Sequence, residues 1–145
     1  MAFLLDTNVI SEGAPERLER PELVQWMRAN SGQLHISTIT IAEIEIGIAR
    51  ARRKRATRKA MNLSRWLEAL LGLYLGRVLT FDLKAARVAG ALAELSRANK
   101  REPDFEDLAI ASIAKARGLT VLTRNVRHFK PFEISLHDPF ASLPK

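Results

Sequence analysis

The 145-residue chain carries a formal charge of +7, with 47% apolar and 27% charged residues, which is the balance of a folded domain rather than of a disordered or membrane-embedded chain. It has no cysteine, which excludes disulfides, thiolate metal sites and thiol nucleophiles; any metal must sit on oxygen or imidazole. No apolar run approaches the roughly 18 residues that span a bilayer, and MAFLL meets Asp6 before an export-length segment develops, so a cytoplasmic protein without a membrane partner is expected.

The length suits a single domain over residues 1–145. Phe3 to Leu5 reads as a short buried strand, and "TNVISEG" as a turn into a short helix. "PELVQWMRAN" places a proline at a helix start, with Leu23, Val24, Trp26 and Met27 on its apolar face. "QLHIS" is a second strand. "TIAEIEIGIARAR" carries Ile41, Ile44 and Ile48 at helical spacing. A further helix is expected from Ala56 to Leu75, with Trp66, Leu67, Leu70, Leu71 and Tyr74 as its greasy side. "RVLTF" is a third strand, and Asp82 is placed to cap the helix "LKAARVAGALAELSRAN". "DFEDLAIASIAKARG" forms a helix closed by Gly118, "LTVLT" a fourth strand and "EISLHDPF" a fifth.

Strands separated by helices throughout predict an α/β fold, with a central, mostly parallel sheet of about five short strands flanked by helices. In such sheets the functional crevice lies beyond the carboxyl ends of the strands. Asp6 ends the first strand; Thr123, Arg124 and Asn125 end the fourth. Glu43 and Asp107, both read as first-turn residues of helices, are expected at the same edge. Each acid also has a purely structural reading. Asp6 caps the helix after it, Thr40 and Glu43 match the S/T-x-x-E capping box, and Asp107 favours the positive end of its helix. Gly47, one turn beyond Glu43, leaves that helix face bare, either for a phosphate backbone or for close helix packing.

Two other features are less specific. Between Arg50 and Lys59 seven of ten residues are basic, a run that serves as a phosphate-tracking surface, a partner's landing site or a solvated helix face. The three histidines, His35, His128 and His137, lack paired spacing and are read as structural or surface residues.

"LLDTNVIS", "TIAEIEIG", "DLAIASIA" and "LTRNVRHF" occur in the order used by the PIN-domain family, and the chain resembles the VapC-like and FitB-like ribonuclease toxins of toxin-antitoxin pairs along nearly its whole length. The resemblance implies that Asp6, Glu43 and Asp107 are the catalytic, metal-binding acids. Asn125 stands where many relatives carry a fourth acid, and His128 where relatives often carry an aspartate; Asp104 is a nearby carboxylate able to compensate. Thr7, Asn8 and Thr123 match polar residues that orient the carboxylates or bind substrate phosphate.

The implied cofactor is Mg2+ or Mn2+, hard ions that choose carboxylate oxygens and keep several waters. The implied partners are an RNA substrate, a cognate antitoxin and a second copy of the chain; the apolar surface of the Ala56 to Leu75 segment is read as a homodimer or antitoxin interface, with packing over the sheet as the alternative. The competing reading is a PIN-like module that holds RNA or protein without cutting. A phosphate-accepting receiver domain also ends a strand in aspartate, but "LLDTN" lacks the paired acids it needs.

Overall fold

Phe3, Leu4 and Leu5 form the first strand, β1 (Phe3–Leu5), and all three are buried. The computed structural model describes residues 1–14 and 20–145. After β1 come α1 (Thr7–Ile10), a 3-10 turn at Ser11–Gly13, α2 (Pro21–Ala29), β2 (Leu34–Ser37), α3 (Thr38–Arg53) and α4 (Thr57–Leu73). The second half consists of β3 (Val78–Leu79), α5 (Leu83–Ala98), α6 (Phe105–Arg117), β4 (Thr120–Leu122), α7 (Val126–Phe129) and β5 (Leu136–His137).

The sheet order is β3-β2-β1-β4-β5, and every pairing is parallel. The central strand is therefore β1, with Leu4 opposite His35 on one side and Val121 on the other. Successive side chains of a strand point to opposite faces. Phe3 and Leu5 accordingly join one core with Leu23, Ile48, Leu67, Leu70 and Tyr74, while Leu4 joins the other with Leu92, Ile110, Ile113, Phe129 and Phe132. Helices cover both faces, which is why the strand reads as an unbroken apolar run instead of an alternating one.

Several local expectations hold in detail. Asp82 caps α5 by accepting the Ala85 amide at 3.0 Å. Gly118 ends α6 at φ 67°, in the left-handed region that costs glycine nothing. Ala111 and Ala114 are fully buried, so α6 lies close on the sheet and fixes the height of its first turn. The apolar stripe of α4 is largely spent on packing, since Leu67, Leu70 and Tyr74 are buried; Met61, Leu73 and Leu75 remain exposed. Among the described residues, no helix is long and apolar enough to cross a membrane.

The topology reverses at β1. The chain moves outward through β2 and β3, then returns across the sheet to place β4 on the other side of β1. The crevice between the carboxyl ends of β1 and β4 is thus a switch point where loops diverge and a ligand can enter.

Candidate active site

The backbone ladder between these strands runs one residue past β1, with the Asp6 amide donating to the Leu122 carbonyl at 2.9 Å. Asp6 therefore sits at the rim of the crevice. Its Oδ1 accepts the Thr7 amide at 2.8 Å, and its Oδ2 accepts the Thr123 hydroxyl at 2.8 Å and the Asn8 side-chain amide at 3.3 Å. Asp6 caps α1, as its structural reading has it, and the same side chain also lines the cleft. Asn8 braces the two strand ends, because its Oδ1 accepts the Arg124 amide at 3.2 Å.

Thr123 is fully buried and does not line the cleft; it holds Asp6 from beneath while accepting the Asn125 amide at 2.9 Å. Its hydroxyl is a bond to a buried carboxylate and the acceptor for a backbone N–H. Thr123→Val keeps the shape and is expected to lower the urea midpoint by the equivalent of about 1.5–3 kcal/mol, with Thr123→Ser close to wild type. Equal midpoints for all three proteins would remove Thr123 from this role.

Glu43 reaches the same cleft from α3, but not as a first-turn residue. The cap of α3 is Ser37, whose hydroxyl oxygen accepts the Thr40 amide at 3.2 Å, so the Thr40 to Glu43 capping box is not formed and Glu43 lies in the second turn. The helix starts directly from the end of β2, one turn earlier than that pattern implies. Glu43 is held instead by Thr7, whose hydroxyl donates to Oε1 at 2.7 Å. The Thr40 hydroxyl lies 3.1 Å from that of Thr7 and serves as its donor.

The opposite wall is the start of α6. Asp107 is in its first turn as expected. Asp104 occupies the cap position but makes no side-chain capping bond, and it lines the cleft with Glu106, Asp107 and Asn125. Glu106 escaped the sequence reading and adds a carboxylate. His128, read there as a structural or surface residue, is in α7 and places Nδ1 3.3 Å from Asp107 Oδ2, a contact the sequence did not reveal.

The electrostatics are those of crowded acids. Burial pushes the Asp6 carboxyl above its ordinary value, against the opposing pull of the Thr123 hydroxyl and the Thr7 amide. Burial also raises Glu43, helped by the nearby charges of Glu106, Asp6 and Asp107. Asp107 is raised by burial and by Asp6, with His128 acting the other way. Three carboxyls raised together mark a site that favours added positive charge.

Gly47 settles one open alternative. A Cβ built there meets no described residue within 4 Å, so α3 is not closely packed against another described helix at this position.

The donor set fits a hard divalent cation: oxygen ligands of net negative charge in an open cleft of about 360 Å³. Among the described residues, no three carboxylates or imidazoles already converge as a ready-made cage. Magnesium does not demand one, since it uses one or two carboxylates and retains waters.

The overall fold agrees with that of a solved relative. Residues 3–132 match the PIN domain. The chain belongs to the PIN-domain family. It is 37% identical to the plasmid stability protein StbB of Pseudomonas syringae pv. tomato, over 95% of this chain and 98% of that protein. It is 32% identical to the toxin FitB of Neisseria gonorrhoeae, over 95% and 98%. Identity is also 32% to the VapC ribonuclease Y4jK of Sinorhizobium fredii, over 95% and 97%. The crystal structure of FitAcB from Neisseria gonorrhoeae superposes with a TM-score of 0.82 at 33% identity, covering 95% of this chain and 98% of that one.

Proposed function

We propose that this PIN-domain protein is a metal-dependent endoribonuclease that hydrolyses RNA phosphodiester bonds as the toxin of a toxin-antitoxin pair. The observation that carries the reading is the meeting of Asp6, Glu43 and Asp107, three residues far apart in sequence, on one cleft at the switch point of the sheet. The ribonuclease and toxin relatives support it, as does the motif order. Asp6, Asp107 and Glu43 would hold Mg2+ or Mn2+, with Asp104 and Asn125 as additional oxygen donors; such an ion, when bound, would activate water and neutralise phosphate charge.

The chain's own residues do the positioning. Thr123 and Asn8 hold the Asp6 carboxylate, Thr7 holds Glu43, and His128 aligns Asp107. Asn125, on the cleft wall, offers its amide group to the substrate phosphate. A non-catalytic PIN-like module is the second reading, favoured only by Asn125 and His128 standing where relatives carry acids.

An antitoxin is the fitting inhibitor, presenting a guanidinium to the carboxylates in place of the metal, with charge-assisted bonds. The exposed Met61, Leu73 and Leu75 support a homodimer; sedimentation at micromolar concentration is expected to give twice the chain mass, and a monomer would remove it. An RNA substrate supports a cytoplasmic site of action.

The test is incubation of partner-free protein with single-stranded and structured RNA plus magnesium or manganese. Cleavage that stops with EDTA is expected. RNA binding without cleavage under any metal would leave the non-catalytic module standing.

A further inference from the structure

Beside the acidic cleft lies a second recess, of about 260 Å³, between α3 and α4; Thr7 and Glu43 line both. Its other walls include Ile44, Gly47, Leu63 and Trp66, with Lys59 at its margin. The two helices contribute matching stripes. Glu43, Gly47 and Arg50 follow one another at i, i+4, i+7 along α3, and Lys59, Leu63 and Trp66 do the same along α4. By helical rise, Gly47 lies about 6 Å beyond Glu43, and Arg50 about 10 Å beyond it. Moving outward, the surface changes from carboxylate, through an apolar floor with a tryptophan, to the exposed basic run of Arg50 to Lys59.

We propose that this recess is a base subsite: it takes one unpaired nucleobase next to the scissile phosphate, in contact with Trp66 over Gly47, while the basic run holds the phosphates beyond. The inference rests on the ribonuclease reading for its substrate and adds the specificity element. Single-stranded RNA is recognised by bases splayed onto aromatic side chains, with cations tracking the backbone. Among the described residues the only ring lining the acidic cleft is the His128 imidazole, which is engaged with Asp107, whereas the adjoining recess is lined by the larger indole of Trp66. Gly47 is the residue that opens it, since any larger side chain there projects into free space. Continuity with the acidic cleft through Thr7 and Glu43 and the cationic margin favour a nucleotide over an apolar peptide segment as occupant.

The openness at Gly47 also supplies the test. Gly47→Leu fills the recess without a backbone clash and replaces glycine by a better helix former, so the fold is retained. Trp66→Leu removes the ring by a second route. Trp26, the other tryptophan, packs edge-on against Phe3 and is replaced by phenylalanine, so that Trp66 alone reports fluorescence.

A short fluorescein-labelled single-stranded RNA is titrated into each protein in EDTA, and cleavage of the same strand is measured separately with magnesium or manganese. The expected result is quenching of Trp66 on binding, and affinity lowered about tenfold or more by Gly47→Leu and by Trp66→Leu. Unmoved Trp66 emission with equal affinities overturns the subsite, and does so independently of cleavage. Quenching and weakened binding with no cleavage under either metal sustain the subsite but sink the ribonuclease reading. If Gly47→Leu leaves RNA affinity intact and instead abolishes inhibition by the cognate antitoxin, the recess belongs to a protein partner and the inference is overturned.

Discussion

If Asp6 and Asp107 hold the metal of the proposed ribonuclease, Asp6→Asn and Asp107→Asn are each expected to lower the rate of RNA cleavage by about a hundredfold or more, because such an ion would supply several kcal/mol of transition-state charge stabilisation. The two variants probe different elements. Asp6 stands at the end of β1 and is 6% exposed, whereas Asp107 stands in the first turn of α6 on the far wall. A shared loss therefore ties the cleft together, where a loss in Asp6→Asn alone would not. Asparagine at position 6 retains an oxygen to accept the Thr7 amide, so the α1 cap survives, while its amide nitrogen no longer accepts from Thr123 and Asn8, which lowers stability without removing the cap. Matched thermal unfolding of both variants separates lost chemistry from lost structure. Cleavage at wild-type rate in either folded variant would return that aspartate to a structural role.

The layering was readable because it depends on short-range rules. An apolar run at Phe3 to Leu5, helices with apolar faces and a parallel strand order follow from periodicity and connection length. Asp107 was equally legible, three residues into a helix whose small side chains announce tight packing. Glu43 shows where local pattern fails: Ser37 and Thr40 are both credible caps, and what decides between them is that β2 runs into α3 without a loop, a tertiary fact. The partnership of His128 with Asp107 was invisible for another reason. Their separation in sequence has no period, and only the docking of α7 beside α6 brings them together. Gly47 was recognisable as a bare position, but whether a helix or solvent faced it was a question only packing answers.

The crowded acids predict how stability responds to pH and metal. Asp6, Glu43 and Asp107 have carboxyls raised above their ordinary values, so in that range the folded protein binds more protons than the unfolded chain. Stability from these groups therefore falls as pH rises from the ordinary carboxylate range through the raised values, and is lowest once all three are ionised. Acids outside the cleft act in the opposite sense: the Ala85 amide, with Arg117, holds Asp82 low, and Arg97 holds Glu102 low, so their contributions are lost on acidification. A whole-protein pH profile mixes the two. Comparison with Asp107→Asn isolates the cleft, because the net raised shift means that burial and repulsion outweigh the His128 contact. In EDTA the variant is expected to melt above wild type at neutral pH, with the difference closing as the pH falls and the carboxyls protonate. Added magnesium should reverse the ranking, since a ligand bound only by the folded state stabilises by about 2.7 kcal/mol at a hundredfold excess over its Kd, which Asp107→Asn forfeits in proportion to its lost affinity. A wild-type melting temperature indifferent to both magnesium and manganese, with no gain in the metal-free variant, would mean that these carboxylates neither repel strongly nor hold a cation.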